Sequence, residues 1–385
     1  DVPYGQAPVH QVWHKRRWRC QESACPRASF TESLPAVPPR ARVTTRLRTQ
    51  CGAGIATRFS CVQAGADYDG VSWPIAHRAF IAHVDPLRAA PLPPVTVLGI
   101  DETRRGKPKW GQDPDTGRWV VVADRWHTGI VDAAGTGGLL AHIDGRTAAK
   151  VAEWIAEQPD SWRAGITHVT IDLSASYLRA VTDALPHAVV VADRFHLVRL
   201  ANDMVTEVRQ RATREVRGRR GRKRDPELAG RRKLLIAHER LDPAAFAKLW
   251  NALIDAGDPG IEILHAYTVK ENLRHLLALS GTNPERSLIR DRLWRLYEQA
   301  ATSTSPEVHR FAATVEQWWP AIEAAIITNY SNARSEGYNR LAKHQGCNVF
   351  GYRNVHNHRR AVRWACTRQH RRASAAISEV PGQVR

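Results

Sequence analysis

The region that most constrains the fold lies between Val95 and Arg211, where short apolar runs alternate with segments of helical periodicity. The first three apolar runs follow one another closely, which favours an antiparallel meander. Two further runs are separated by helical patterns, which favours parallel strands joined by crossover helices. The predicted strands are 95–101, 118–124, 127–134, 168–172 and 188–193. Together they predict an α/β core.

Three strands followed by α, β, α, β, α is the element order of the ribonuclease H-like fold. In that fold the first and fourth strands are neighbours and carry carboxylates at their ends. Asp101 ends the first predicted strand and Asp172 ends the fourth, so both acids are expected in one crevice. For either aspartate alone, capping of the next helix is an equally good explanation. Ser174 can cap that helix instead, which would release Asp172.

A third acid, Glu336, lies in the polar and basic stretch Asn329–Asn354. If this stretch is helical, one face carries Asn332, Glu336, Asn339, Arg340 and Lys343. Such a face does not suit an apolar core, although a lone Glu336 could also be a solvated helix acid. An acid among basic and amide groups suits a metal ion beside a polyanion.

Asp101, Asp172 and Glu336 together predict a metal site, because clustered carboxylates repel one another without a cation. Oxygen ligands suit Mg²⁺ or Mn²⁺, and two such ions roughly 3.5–4 Å apart support phosphoryl transfer. We expect Asp101 to bridge both ions, Asp172 to bind one and Glu336 the other. Glu102 is a weaker candidate ligand, because the next residue of an extended segment points away.

The fifth predicted strand ends in a further motif, Asp193-Arg-Phe-His196. His196 could pair with Asp193 or reach a phosphate near the metals. A helix cap followed by a packing histidine explains the same spacing equally well.

The charge balance points to a polyanionic partner. The chain has 56 basic and 38 acidic residues, a formal net charge of +18 and a pI near 10.2. Nucleic acid is the leading partner for such a surface. The sequence has neither a long apolar run nor a secretion signal, so we expect a cytoplasmic, nucleoid-associated protein. Six cysteines in 385 residues do not predict a disulfide framework.

Residues 1–39 resemble part of a zinc finger, because Cys20-x4-Cys25 is half of a zinc-ligand pattern. Zinc needs four ligands, so the other pair would lie before residue 1, and two structural cysteines are an even alternative. His10 and His14 are weaker substitutes.

Residues 40–86 read as short helices, the last one predicted from Trp73 to Val84 with Ser72 as its cap and Pro74 in its first turn. This order favours a helix-turn-helix, and an ordinary helical bundle is the alternative.

The remaining chain is divided by composition. Residues 87–94 are a proline-rich linker, 95–212 and 328–372 form the core, 213–327 are an all-helical insertion, and 373–385 are a tail. The basic run 215–223 is expected to be a mobile surface loop. The predicted DNA-binding residues are Arg46, Arg58, His77, Arg78, Arg219, Arg220, Arg222, Arg334, Arg340, Lys343 and Arg353.

The motifs RRWRCQESACPRASFTE, VLGIDETRRG, HVTIDLSASY, VVVADRFHLVRL and NYSNARSEGYNRLAKHQGCNVFGYRN occur in that order. In this the chain resembles the ISL-three family of bacterial insertion-sequence transposases. The resemblance implies an N-terminal zinc finger, a helix-turn-helix and a DDE catalytic core whose acids are Asp101, Asp172 and Glu336. The Asp193-x-x-His196 spacing also recurs among DDE transposases.

This resemblance implies metal-dependent cutting and joining of double-stranded DNA at terminal inverted repeats, by a homodimer or larger assembly. The chain departs from the family in lacking one zinc-binding cysteine pair, which leaves zinc binding open. It also has Cys347-Asn348 where a more basic stretch is expected and His356-Asn357-His358 where apolar residues are expected. The alternative function is a non-catalytic DNA-binding protein derived from a decayed or domesticated transposase.

Overall fold

The computed structural model describes residues 2–4, 7–9, 12–59, 61–349, 351–352 and 354–378. The chain divides into two compact units. The first unit comprises residues 1–93, 137–142 and 338–385, and the second comprises 94–136 and 143–337. No helix in the described part of the chain is both long and apolar enough to span a membrane.

The strands are short except in the central sheet. They are β1 (Val2–Tyr4), β2 (Ala7–Val9), β3 (Arg17–Arg19), β4 (Ser29–Thr31), β5 (Val97–Arg104), β6 (Lys109–Gln112), β7 (Trp119–Ala123), β8 (Trp126–Asp132), β9 (Leu139–Asp144), β10 (His168–Ile171) and β11 (Val189–Ala192).

Helices make up most of the remaining structure. They are α1 (Thr45–Thr57), α2 (Val62–Tyr68), α3 (Trp73–Ala89), α4 (Ala148–Ala156), α5 (Asp160–Ala164), α6 (Ala175–Ala184), α7 (Arg194–Arg217), α8 (Pro226–Ala229), α9 (Pro243–Ile254), α10 (Asp258–Leu277), α11 (Arg286–Ala301), α12 (Pro306–Gln317), α13 (Trp319–Thr328), α14 (Ala333–Asn348) and α15 (Val355–Ser378).

In the first unit, α1, α2 and α3 pack around a small apolar core. Thr44 caps α1 by accepting a hydrogen bond from the Leu47 N–H at 3.1 Å. On α15, the Trp364 indole donates to the Ala56 carbonyl at 2.9 Å, and the Arg360 guanidinium pairs with Asp85 at 2.7 Å. The C-terminal helix therefore completes the core of the N-terminal helices.

The third helix begins at Trp73, as predicted, with Ser72 at its N-cap position and Pro74 in its first turn. Ser72 makes no side-chain capping bond. The helix ends at Ala89 rather than Val84. Pro86 lies within its last turn, and the Pro86 carbonyl accepts a hydrogen bond from the Ala90 N–H at 3.0 Å. The start of the predicted linker is therefore helical.

The central sheet has the strand order β11-β10-β5-β8-β9. Strand β10 runs parallel to both β5 and β11, whereas β8 runs antiparallel to β5. In this sheet β5 is the first strand along the chain and β10 the fourth. The prediction that these two strands are neighbours is confirmed.

Two predictions about the meander were wrong. The apolar run 118–124 does not enter the central sheet; its strand β7 pairs with β6 in a separate hairpin. Its place is taken by β9, which follows a glycine-rich segment and was not predicted. A short apolar run does not reveal whether its strand is buried, and the valines of β7 are largely exposed.

The predicted helical insertion corresponds to α8 through α13. Five of its helices carry a proline in their first turn, where the missing N–H breaks no helical hydrogen bond; they are α8, α9, α10, α12 and α13. Within the insertion predicted to be all-helical, the segment from Pro226 to Arg240 consists of α8 followed by two 3₁₀ turns, 233–235 and 238–240.

The basic run 215–223 was predicted to be a mobile loop, but it is tied down by ion pairs. Helix α7 extends to Arg217 and ends at Gly218 in the left-handed conformation, φ 61°. Arg217 pairs with the buried Glu227 at 2.9 Å, and Arg219 donates to Asp225 at 3.1 Å. The acids that pair with the run, Asp225 and Glu227, lie just beyond it in the sequence.

A partly buried ionic network joins α7, α10 and α12. The Arg211 guanidinium contacts Glu307 at 2.8 and 3.0 Å and Glu262 at 3.4 Å. Ser305 donates to Glu262 at 2.6 Å. Because the Glu307 side chain is only 8% exposed, removal of Arg211 would leave a buried carboxylate unpaired.

We therefore expect Arg211→Ala to lower the free energy of unfolding by about 3–5 kcal/mol. Arg310→Ala is the matched control, because Arg310 pairs with Glu207 at the surface, where exposed ion pairs contribute about 0–1 kcal/mol. Denaturant unfolding of both variants measures the difference. Equal effects would contradict the assigned role of the network.

Candidate active site

Asp101 is a buried carboxylate within β5. Its side chain is 6% exposed, and Oδ1 accepts a hydrogen bond from the Glu102 N–H at 2.7 Å. The strand continues to Arg104 rather than ending at Asp101, because residues 102–104 still pair with β8. Asp101 is therefore not a helix cap. Burial and the neighbouring Asp172 carboxylate raise the pKa of Asp101 to about 7.

Asp172 directly follows β10 and hydrogen-bonds with the Asp101 carboxyl group. The parallel register aligns Ile171 with Ile100, which brings the next residue of each strand, the two aspartates, side by side. Ser174 caps α6 by accepting from the Tyr177 N–H, so the predicted release of Asp172 is confirmed. Burial raises the pKa of Asp172 as well, against the opposing effect of the nearby His196.

His196 contacts two of these acids at once. Its Nδ1 lies 3.0 Å from Asp193 Oδ2 and 3.1 Å from Asp172 Oδ1. Asp193 occupies the N-cap position of α7 but makes no capping bond, so the pairing alternative for this motif is the one observed. The hydrogen bond with Asp193 raises the pKa of His196, despite burial, and thus favours the imidazolium form.

Asn332, which was predicted only to share a helix face with Glu336, hydrogen-bonds to several parts of the site. Its side chain donates to Asp172 Oδ1 at 3.2 Å and to the Ile100 carbonyl at 3.1 Å, and it accepts from Thr170 at 3.2 Å. Its backbone N–H donates to Asp193 Oδ1 at 3.3 Å. Asn332 is fully buried. A single asparagine therefore connects the start of α14 to β5, to β10 and to the residue that follows β11.

Close packing brings α14 onto the sheet at Gly99. A Cβ at that position would lie 2.7 Å from Ser335 Oγ and 2.7 Å from a Val131 methyl group, so only glycine permits this approach. Glu336 follows one turn after Asn332, with its N–H bonded to the Asn332 carbonyl at 3.1 Å. The predicted helix thus places Glu336 one turn from the asparagine whose side chain contacts Asp172.

We expect Asn332→Ala to lower the free energy of unfolding by about 2–4 kcal/mol, because several buried groups lose their partner. Asn251→Ala, an exposed amide on α9, serves as the control. Urea unfolding in the presence of a chelator measures both. An effect of Asn332→Ala no larger than that of the control would contradict the bonding described above.

Not all predicted site residues meet. Among the described residues, Asp172, Asp193 and His196 form a group whose ligand atoms all lie within 4.8 Å of one another. Asp101 adjoins this group through Asp172, whereas Glu336 does not belong to it. Glu336 is half-buried and lies one helical turn from Asn332.

Glu102 lies closer to the site than expected. It lines a cleft of about 730 Å³ together with Asp172, His196 and Arg199. Tyr177 donates to Glu102 at 3.5 Å, and Arg146 is 3.6 Å from it. Because β5 continues past Asp101, Glu102 is held in the sheet and directed toward α6.

The residues present fit a divalent cation. The buried Asp101 and the half-buried Asp172 contact each other, and desolvation disfavours the ionised form of both. Hard divalent cations prefer such oxygen ligands and would relieve the repulsion. Asp101 and Asp172 are the acids best placed to hold an ion, and Glu336 lies one turn from Asn332, whose side chain contacts Asp172.

The predicted DNA-binding residues have different environments. Exposed side chains are Arg46, Arg58, Arg78, Arg220, Arg222, Arg334, Arg340 and Lys343. Arg334 also donates to the Gly135 carbonyl. His77 is half-buried, Arg219 is paired with Asp225, and Arg353 lies outside the described residues.

Cys20 and Cys25 lie between β3 and β4, in the connection of a two-stranded hairpin. Both are free thiols, and Cys25 Sγ donates to the Arg27 carbonyl at 3.5 Å. In the described part of the chain, neither belongs to a group of three potential metal ligands. Of the weaker candidates, His14 is exposed and His10 falls outside the described residues.

Comparison with known proteins identifies the family. A family model described as Transposase, for DDE transposases of the ISL3 group, matches residues 98–362. This range includes all the acids of the candidate active site. The chain belongs to this family. The family resemblance predicted from the sequence motifs is therefore confirmed. DDE transposases are nucleotidyl-transfer enzymes.

Two curated relatives are similar to part of the chain. Both are transposases for insertion sequence element IS1557, from Mycobacterium tuberculosis strains CDC 1551 / Oshkosh and ATCC 25618 / H37Rv. Each is 30% identical over 210 residues, which cover 49% of this chain and 45% of the relative. The chain thus spans about half the length of these relatives.

Among solved structures, the Drosophila P element transposase strand transfer complex is similar at a TM-score of 0.44 and 10% identity, covering 83% of this chain and 92% of that chain. A likeness at this level carries no argument about function.

Proposed function

We propose that this ISL3-family chain is a DNA transposase that cleaves and transfers strands at the terminal inverted repeats of an insertion sequence. The observation that carries the proposal is the contact between two carboxylates, the buried Asp101 and the half-buried Asp172, at neighbouring parallel strands. The strand order agrees with a ribonuclease H-like core. The bonds of Asn332 support placing Glu336 as the third acid.

In this proposal Asp101, Asp172 and Glu336 hold Mg²⁺ or Mn²⁺. When bound, two such ions activate the attacking oxygen and stabilise the leaving oxygen in phosphoryl transfer. The chain's own residues orient the ligands: Asn332 fixes Asp172, and Asp193 fixes His196. The imidazolium form of His196, favoured by Asp193, offsets acidic charge and offers a positive group to a DNA phosphate.

DNA recognition would rest on the basic surface and on α2 and α3 acting as a helix-turn-helix. The net charge of +18 and the exposed arginines of the first unit support this part of the proposal. Assembly as a homodimer on two DNA ends, a cytoplasmic location at the nucleoid, and zinc at Cys20 and Cys25 complete the hypothesis.

The test is a strand-cleavage assay. The protein is incubated with duplexes carrying the DNA ends that flank its gene, with Mg²⁺ or with a chelator. We expect nicks at the junction between element and flank only with the metal. Binding without cleavage in every metal tried would favour the alternative, a non-catalytic DNA-binding protein.

A further inference from the structure

A second cleft lies in the first unit. Its volume is about 850 Å³, and it lies between the helices α1 to α3 and the segment 345–365. All its lining residues belong to the first unit. This volume is in the range of small-molecule sites, roughly 300–1,000 Å³. None of the acids of the candidate active site lines it.

The lining is unusual in its chemistry. Five of the lining side chains are amides, including Gln63 and Asn348, and none of the described lining residues is acidic. Aromatic rings, among them Trp73, form further parts of the wall, and Arg58 contributes a positive charge. A ligand that suits this lining is a planar, neutral ring with both donors and acceptors on its edge.

Internal hydrogen bonds fix the direction of two amides. Gln63 Nε2 donates to Asp67 at 2.7 Å, and Asn348 Nδ2 lies 3.3 Å from His344 Nδ1. In each case the amide oxygen has no hydrogen-bond partner among the described residues. Pre-oriented amides are suited to pair with the edges of nucleic-acid bases.

Trp73 provides a stacking surface. Its ring lies nearly parallel to that of His77, with 4.6 Å between the centroids and 21° between the planes, and yet Trp73 stays 44% exposed. Burial lowers the pKa of His77, which favours a neutral imidazole beneath the indole. Stacking of a base on an aromatic side chain contributes roughly 1–3 kcal/mol.

We propose that this cleft binds a nucleobase extruded from DNA, stacked on Trp73 and read by Gln63 and Asn348. The inference rests on the proposed DNA binding and assigns to the first unit a contact beyond the basic surface. Extrusion costs least for a base that has no pairing partner. The protein should therefore prefer a duplex with one unpaired base over the fully paired duplex.

The full-length chain is titrated with three probes: the paired duplex, the same duplex with one unpaired 2-aminopurine, and free adenosine monophosphate. We expect the unpaired-base duplex to bind about tenfold more tightly than the paired one, with quenched 2-aminopurine fluorescence. Trp73→Ala should abolish both the preference for the unpaired base and the fluorescence quenching. Trp294→Ala removes a 68% exposed tryptophan elsewhere and should change neither.

Asn348→Ala, at an exposed helix end, is a second variant that does not threaten folding, and it should reduce the preference. Equal affinity of the wild type for both duplexes overturns the proposal, as does a preference that survives in Trp73→Ala. If only the free nucleotide binds in the cleft, the extruded-base proposal is also overturned. If neither duplex binds, the proposed DNA function fails as well, whereas equal binding of both duplexes overturns only the extruded-base proposal.

Discussion

Replacing Asp172 by asparagine is expected to reduce strand cleavage roughly 10²–10³-fold or more, because electrostatic stabilisation at a reacting phosphate contributes at least that much. The substitution keeps the size and hydrogen-bonding capacity of the side chain and removes the ability to bind a cation as a carboxylate. Folding should be preserved, because Asn332 and His196 can still contact position 172.

The control for this experiment is Asp183→Asn. Asp183 is an exposed acid on α6, with 63% of its side chain accessible, and its partner is the neighbouring Arg179 at 3.6 Å. Single-turnover cleavage and DNA affinity are measured for both variants. Near-normal cleavage by Asp172→Asn, or an equal loss in Asp183→Asn, would remove Asp172 from the proposed chemistry.

Replacing Asp101 by asparagine is expected to stabilise the metal-free protein at neutral and alkaline pH. The pKa of Asp101 is about 7 in the folded protein, against an ordinary value of 3.8. Between these values the folded state retains a proton that the unfolded state has lost, so wild-type stability falls as pH rises from about 4 to about 7. Above pH 7 the ionised carboxylate is fully destabilising.

The asparagine of Asp101→Asn has no titratable proton. The free energy of unfolding of the variant should therefore exceed that of the wild type by a margin that grows from near zero at pH 4 to about 1–3 kcal/mol at pH 8. Divalent metal should reverse the order, because it stabilises only the protein that binds it. Unfolding midpoints at pH 4, 6 and 8, with chelator or with Mg²⁺, test this. A variant less stable than wild type at pH 8 in chelator would contradict the cause assigned to the pKa shift.

The acid pair could be predicted from sequence because strand order and strand ends are local signals. Asp101 and Asp172 each follow an apolar run, and the order of runs and helices placed those strands side by side, as observed. The contact between Asp193 and His196 has a similar origin, since three residues span the first turn of a helix.

What the sequence did not reveal depends on long-range contacts. Asn332 is 160 residues from Asp172 in the sequence. Nothing in its local sequence distinguishes a buried asparagine that makes four hydrogen bonds from an exposed one. Strand β9 was not predicted, because it follows a glycine-rich segment. Strand β7 was assigned to the wrong sheet, because a run of valines is typical of a buried strand, whereas the valines of β7 are largely exposed. The ion pairs of the basic run 215–223 were not predicted, because their acidic partners lie beyond the run in the sequence.

The central claim is that Asp101, Asp172 and Glu336 bind divalent metal together. Anomalous X-ray scattering from crystals soaked in Mn²⁺ tests it most directly, with Glu336→Gln crystals for comparison. We predict anomalous density between the Asp101 and Asp172 carboxylates, with Glu336 as a further ligand, and a weaker peak in Glu336→Gln. Density elsewhere with none at the acid pair, or a site unchanged by Glu336→Gln, would contradict the account.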